Sequence, residues 1–183
     1  VYLVAVTGCL HEDGLADSAD GFGGGRERER VLAIMRDSRI GVYGAVAVAL
    51  SLLARVLIIA SLARTQVVAY LMVAPVLGRW TILPLSFFLP PARDRGDEQA
   101  DGQGARIARL TTRGSLIAGS LLTLAIVIAL LRVRAVAPVL GSMAVSLITA
   151  LYYKRRIGGI TGDSFGATTQ LVEIAVYLCG VWV

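Results

Sequence analysis

Val42-Tyr43-Gly44-Ala45-Val46-Ala47-Val48-Ala49-Leu50-Ser51, continued by Leu52 to Ala63 (LLARVLIIASLA), carries a single charge, Arg55. As a helix rising 1.5 Å per residue it would extend about 33 Å, enough to cross ~30 Å of hydrocarbon. Four more apolar runs follow, at 66–90, 115–131, 135–153 and 166–183. Lipid offers backbone N–H and C=O groups no partners, so such runs must be helices that satisfy themselves. The period-two alternation of a barrel strand is absent. The fold class is therefore all-α, a polytopic integral membrane bundle of about five complete spans.

Composition agrees with that reading. Of 183 residues, 56% are hydrophobic and only 17% charged, and the mean hydropathy is +0.70. A soluble domain carries about 25% charged residues, because its surface faces water. Disordered and fibrous classes are excluded by the same figures. Lys and Arg outnumber Asp and Glu, 18 to 13. In a soluble protein that excess would suggest nucleic acid; here it reads as topology, with no nucleic-acid partner and the bilayer as surroundings. Cys9 and Cys179 lie in apolar runs without metal-ligand spacing.

Val1 to Leu10 is apolar but only about half the length a span needs. No basic leader precedes it, as a signal peptide would require. It reads as the end of an earlier span. The chain is then expected to be one transmembrane catalytic domain over 1–183 that lacks an N-terminal segment.

If the spans alternate, the connections 11–41, 91–114 and 154–165 share one face. That face collects 13 of the 18 basic residues: Arg26, Arg28, Arg30, Arg36, Arg39, Arg93, Arg95, Arg106, Arg109, Arg113, Lys154, Arg155 and Arg156. Positive charge marks the cytoplasmic side, so all three are expected there, in a multi-pass protein of the bacterial cytoplasmic (inner) membrane. The segment 91–114 is polar and Gly-containing and reads as an exposed loop. The run 66–90 contains Pro75, Gly78, Arg79 and Pro84, which suit a broken helix.

Seven of the 13 acids fall between residues 11 and 40. Their centre is His11-Glu12-Asp13-Gly14-Leu15-Ala16-Asp17-Ser18-Ala19-Asp20-Gly21. Asp13, Asp17 and Asp20, spaced i, i+4 and i+7, fall within about 60° on a helix. Like charges so placed destabilise a helix, and Gly14 costs roughly 1 kcal/mol more. A helix with those penalties is better explained by a cation than by solvation. Mg²⁺ is the candidate, since it takes a few carboxylates plus substrate phosphates. Gly23 and Gly24 either offer N–H groups to a phosphate or form a flexible turn. Arg26 to Arg30 reads as a solvated, self-paired helix start. Arg36 and Arg39 flank Asp37 and either hold phosphate oxygens or anchor the interface. Asp163 is placed to join the first acids. Glu173 lies inside the last span, where a carboxylate is a functional candidate by default. Arg55 and Arg79 fall under the same logic, or pair with an intramembrane acid. His11, the sole histidine, is a general base or a hydrogen-bonded structural group.

Three stretches then carry a resemblance. His11–Gly25 (HEDGLADSADGFGGG), Arg36–Gly44 (RDSRIGVYG) and Gly158–Ala167 (GGITGDSFGA) resemble the signatures of the cobalamin synthase family, the adenosylcobinamide-GDP ribazoletransferases. Their order and the intervening apolar runs match along nearly the whole chain. The resemblance implies a Mg²⁺-dependent membrane enzyme of vitamin B12 assembly. It would join adenosylcobinamide-GDP to α-ribazole, or its 5′-phosphate, and release GMP. A homo-oligomer is compatible with it. The family often has Glu where Gln170 stands, which argues against a metal-binding pair with Glu173.

That reaction sorts the candidates. Charge in the transition state spreads over phosphoryl oxygens, so positioning and electrostatics dominate. Asp13, Asp17 and Asp20, with Asp37, Asp163 or Glu173, are the expected metal ligands. Gly23, Gly24, Arg36, Arg39, Thr161 and Gly162 are the expected substrate contacts. One carboxylate or His11 would take the hydroxyl proton. Two rivals share some of these features. A CDP-alcohol phosphatidyltransferase would need an Ala-Arg element after Gly14, where Leu15-Ala16-Asp17 stands. A transporter would place acids deeper and show an inverted repeat.

Overall fold

The computed structural model describes residues 2–93 and 103–182. The chain is helical, with ten α-helices in the described residues: α1 Tyr2–Val6, α2 Leu10–Gly24, α3 Arg28–Ile34, α4 Val42–Ser61, α5 Val67–Trp80, α6 Ile82–Phe88, α7 Gln103–Leu110, α8 Arg113–Leu131, α9 Val136–Ile157 and α10 Gly162–Trp182. A single parallel bridge pairs Pro91 with Ile160.

Four stretches are long and apolar enough to cross a membrane: Val42–Ser61, Val67–Phe88, Arg113–Ile157 and Gly162–Trp182. The sequence suggests five, because 115–131 and 135–153 read as separate runs. They form the single stretch Arg113–Ile157, broken at Arg132–Ala135 by a 3-10 turn that starts with Arg132 at φ 52°. The chain reverses there. At the start of α8, Ser120 accepts a bond from Trp80 (2.9 Å), next to α6. At the end of α9, Tyr153 and Ile157 share an apolar cluster with Leu85 of α6 and with Leu89 just after it. Both ends of Arg113–Ile157 thus lie beside one short helix.

The run 66–90 is interrupted at Thr81, between α5 and α6. Both the N–H and the hydroxyl of Thr81 donate to the Gly78 carbonyl, at 3.3 and 2.6 Å, which tightens the last turn of α5.

Helix α10 is the axis, flanked by α2, α4, α5 and α9. Two thirds of its apolar window is buried, against about a tenth for Arg113–Ile157. The outer faces carry large apolar side chains such as Val46, Leu53, Leu57, Leu121, Ile128 and Leu147, all exposed. In water that surface would aggregate; in a bilayer it is the lipid face. The interior holds many of the polar groups instead: Ser142, Thr168, Thr169, Gln170 and Glu173 are buried. Two apolar clusters bracket that polar middle. One joins Tyr70, Val73, Leu77, Val127, Val172 and Val176. The other joins Val31, Met35, Leu89, Tyr153, Ile157 and Phe165.

The polar connections contain helices of their own. The stretch 11–41 is mostly helix, α2 and α3, and α2 runs past Gly21 to Gly24. The stretch 91–114 contains α7; its centre, with Arg95, lies outside the described residues. Arg28 is more than a solvated helix start. It has Glu29 at 3.8 Å, but its Nε and Nη2 donate to the Ile157 and Ala92 carbonyls, at 3.0 and 2.7 Å. Arg156 reaches back to the Gly25 carbonyl (2.7 Å) and lies over the Phe22 and Tyr152 rings. These two arginines tie all three polar connections together at one end of the bundle.

Helix α2 packs directly on α10 because neither has a side chain at the crossing. A Cβ on Gly14 would lie 2.8 Å from the Asp163 carbonyl oxygen and 3.1 Å from the Gly166 Cα. Backbone cannot yield there as a flexible side chain would. Gly14→Val gains only about 0.4 kcal/mol of helix propensity against ~1–3 kcal/mol of overpacking. It is therefore expected to lower the thermal midpoint of the detergent-solubilised protein. An unchanged or raised midpoint would mean that the two helices do not touch there.

Candidate active site

The acids of α2 part company in space. Asp13 and Asp17 stay together, Asp13 exposed and Asp17 half-buried. Asp163, in the first turn of α10, faces them across the Gly14–Gly166 crossing. Arg93, from the Pro91 connection, lies 3.8 Å from the Asp163 carboxylate and its Nε is buried without a partner. Burial first, then the charges of Asp163, Asp13 and Asp20, push the Asp17 carboxyl up to about 7, against the pull of Arg93. Sequence spacing brought Asp13 and Asp17 onto one face. It did not single out Arg93, one basic residue among 13.

Asp20 is turned to another task. Its carboxylate is buried and accepts from the Gly41 N–H (2.7 Å) and the Gly44 N–H (2.8 Å). It thus caps α4 from outside, satisfying N–H groups that helix geometry leaves unpaired and adding a negative charge at the positive end. Gly41 and Gly44 make room, since a Cβ at either would collide with that carboxylate. Asp20 lies about 10 Å along α2 from Asp13 and about 60° round it from Asp17, enough to aim it at a different helix.

Other candidates also have local partners. Gly23 and Gly24 lie in the last turn of α2, where helical N–H groups are spent within the helix, and Gly23 packs on the Tyr43 ring. That differs from a loop offering its N–H groups to phosphate. Thr161 and Ser164 bond reciprocally: the Ser164 N–H donates to the Thr161 hydroxyl (3.2 Å) and the Thr161 N–H to the Ser164 hydroxyl (3.3 Å). This is a capping box, and Gly162 follows as the first residue of α10. Asp37 is gripped by Arg39, whose Nη2 donates at 2.6 Å. That bond holds the exposed Asp37 carboxyl down at about 2. Arg36 is exposed at the same end of the bundle.

His11 stands apart from Asp13 and Asp17. Two residues on a helix turn through about 200°, so its side chain leaves the opposite side of α2. Its backbone touches Gly166. Burial, then the charge of Arg79, lowers its imidazole below the usual range despite Glu12 beside it.

Glu173 belongs to a second group, deeper in the bundle. Its Oε2 accepts from Arg55 Nη1 (3.1 Å) and its Oε1 lies 3.6 Å from Arg79. Arg55 Nη2 donates to Glu12 Oε1 (3.1 Å), which also accepts from Gln170 Nε2 (3.0 Å). Ser51 donates to Gln170 Oε1 (3.3 Å). The reading of Glu173 as a ligand beside Asp163 meets two arginines on its two oxygens. The alternative for Arg55 and Arg79, pairing with an intramembrane acid, is the arrangement found.

Among the described residues no three His, Cys, Asp or Glu side chains are placed to hold a metal ion together. The upper acids still suit a hard cation. They offer carboxylate oxygens, burial together with their mutual charge raises Asp17, and Mg²⁺ commonly takes one or two carboxylates with the remainder from water and phosphate.

The Asp17 shift carries a sign. Between about 4 and 7 the folded chain holds a proton that the unfolded chain has lost, so stability falls as pH rises through that window. Asp17→Asn lacks that loss. With divalent cations chelated, its thermal midpoint relative to the parent is expected to rise between pH 4 and pH 8. A constant difference would mean that Asp17 titrates as an ordinary carboxylate.

A family model described as cobalamin-5-phosphate synthase matches residues 1–181. The adenosylcobinamide-GDP ribazoletransferase of Azorhizobium caulinodans is 45% identical over 182 residues, covering 97% of this chain and 67% of its own length. The proteins of that name from Mesorhizobium japonicum and Sinorhizobium medicae are 43% and 45% identical, covering 97% and 93% of this chain and 66% of their own length. The chain thus spans about two thirds of the curated relatives it matches. No solved structure matches it. Helical fold, signature order and match over residues 1–181 agree: this chain belongs to the cobalamin-5-phosphate synthase family.

Proposed function

We propose that this chain transfers the adenosylcobinamide phosphate group from adenosylcobinamide-GDP to α-ribazole, or to its 5′-phosphate, and releases GMP. The observation that carries the proposal is the meeting of Asp13, Asp17, Asp163 and Arg93 at the end of the bundle where the three signature stretches gather. The relatives' names supply the substrates. The basic excess of that end supports a cytoplasmic orientation in the bacterial inner membrane, where soluble nucleotide substrates are present.

A ribose hydroxyl that stays free in both α-ribazole and its 5′-phosphate attacks the phosphorus attached to cobinamide, and the bond to the GMP oxygen breaks. Asp17 accepts the hydroxyl proton. A carboxyl held near 7 is matched to that task at neutral pH, being half ionised yet basic enough. Asp13 and Asp163 are the residues that would hold Mg²⁺. The chemistry Mg²⁺ supplies when bound is neutralisation of the diphosphate and of the leaving GMP. Arg93 turns its guanidinium to the phosphoryl oxygens, where charge develops. Arg36 adds positive charge at the open side, and Asp37 fixes Arg39 in orientation there. Asp20 acts at one remove by capping α4, which keeps α2 in register beneath the substrate.

Asp17→Asn in the membrane-embedded protein, assayed with Mg²⁺ for GMP release, is expected to lower turnover at least ~100-fold, the usual range for a lost general base. Near-parental turnover would remove Asp17 from the chemistry.

A further inference from the structure

The second charged group sits roughly 12 to 16 Å along α10 from its start, at 1.5 Å per residue, well below the upper acids. Charge at that depth needs a reason. Arg55 is 8% exposed, Glu12 7% and Glu173 4%. A buried ion pair adds little stability, because removing both ions from water offsets their attraction. The pairing is also imperfect: Arg55 Nε and Glu12 Oε2 are buried without partners. A group so built contributes geometry more than stability.

We infer that Arg55 is a positioning residue for the transfer reaction, acting through Glu12 to fix α2 so that Asp13 and Asp17 face Asp163. Its fork joins three helices at one point: Arg55 from α4, Glu12 from α2 and Glu173 from α10. Glu12 immediately precedes Asp13, so the bond that holds Glu12 sets the rotation and height of the acidic face. Helix α2 needs that hold. Its acids repel Asp163 across the crossing, and at Gly14 no side chain interlocks the helices. Gln170 donates to the same Glu12 oxygen and so completes the anchor from α10. The planar fork is required, because one ammonium cannot engage carboxylates on two helices in those directions.

This inference rests on the proposed function for what α2 presents, but not for the anchoring itself. The test compares Arg55→Met, Arg55→Lys and the double variant Glu12→Gln/Arg55→Met, the last leaving no unpaired Glu12 charge. Three readouts are taken on the full chain in detergent: hydrogen exchange of residues 10–24, Mn²⁺ binding without substrates, and kcat separately from KM. Arg55→Met is expected to speed exchange in α2 while the α8 and α9 amides keep their protection. It should weaken Mn²⁺ binding and lower kcat ~10–100-fold, the range typical of groups that orient ligands, with KM for α-ribazole within about twofold. Arg55→Lys should recover less than about a tenth of the lost kcat, since it lacks the fork. The double variant should fold like the parent yet remain as slow as Arg55→Met, a non-additive result for residues acting as one unit.

Parental α2 exchange, Mn²⁺ affinity and kcat in a folded double variant would overturn the inference. If the parent itself neither binds Mn²⁺ nor releases GMP, the proposed reaction has failed, and the exchange data alone decide the anchoring.

Discussion

The forked contact of Arg55 with Glu12 and Glu173 is the constraint around which the bundle is arranged. An arginine in the middle of a spanning helix costs about 2.5–3.5 kcal/mol on insertion scales. Facing lipid, that cost would be uncompensated. Facing inward, it obliges the neighbouring helices to supply carboxylates. Glu173 on α10 supplies one and Glu12 on α2 the other. Arg79 then approaches the second oxygen of Glu173, giving two guanidinium groups for two carboxylates. Helix α2 is too short and too polar to span by itself. It enters the bundle because its end residue answers a charge already buried there. Apolar clusters above and below exclude water from the middle.

From that anchor the site follows in steps along α2. About half a turn beyond Glu12, Gly14 permits backbone contact with α10. Asp17, a turn further, meets Asp163. Asp20, another turn on, caps α4. The helix thus contributes a different chemical function at each level, and each is set by the helix it faces there. The two ends are fixed by ionic or charge-assisted bonds. The middle holds acids that repel one another. Strain confined between two fixed ends is how a binding site keeps an arrangement that stability alone would relax.

How much of this was legible in the sequence depends on the range of the interaction. The helices and their apolar runs were legible because the bilayer imposes composition on every span, and composition is local. The pairing of Asp13 with Asp17 was legible because helical period is local too. The fate of Asp20 was not, since it lies two turns along α2 from Asp13, and only the neighbour packed at that level fixes which helix receives its carboxylate. Glu173 as a partner of Arg55 joins residues 118 apart. Its burial drew notice, but nothing in the pattern names its partner. Arg28 and Arg156 read as loop charge, yet they bond carbonyls of the opposite connection. The break inside Arg113–Ile157 was visible as Arg132-Val133-Arg134, where charge interrupts an apolar stretch.

The two charged groups differ in a way that suits their tasks. In the lower one each carboxylate meets a guanidinium, so the group is close to neutral and gains nothing from an added cation. In the upper one Asp13 and Asp17 lie near Asp163, whose carboxylate is 3.8 Å from Arg93, a residue with a buried Nε lacking a partner. That group keeps an excess of negative charge, which adds to burial in lifting Asp17 to about 7. Net charge held in place and not neutralised by the protein is what the proposed divalent cation would answer, and the loosely paired Arg93 is what would remain to meet phosphate in the proposed transfer. A fully paired upper group would fold more easily and bind less. The separation into a neutral anchor and an under-neutralised site lets one 15-residue helix serve both, with Arg55 holding its lower end and the reaction drawing on its middle.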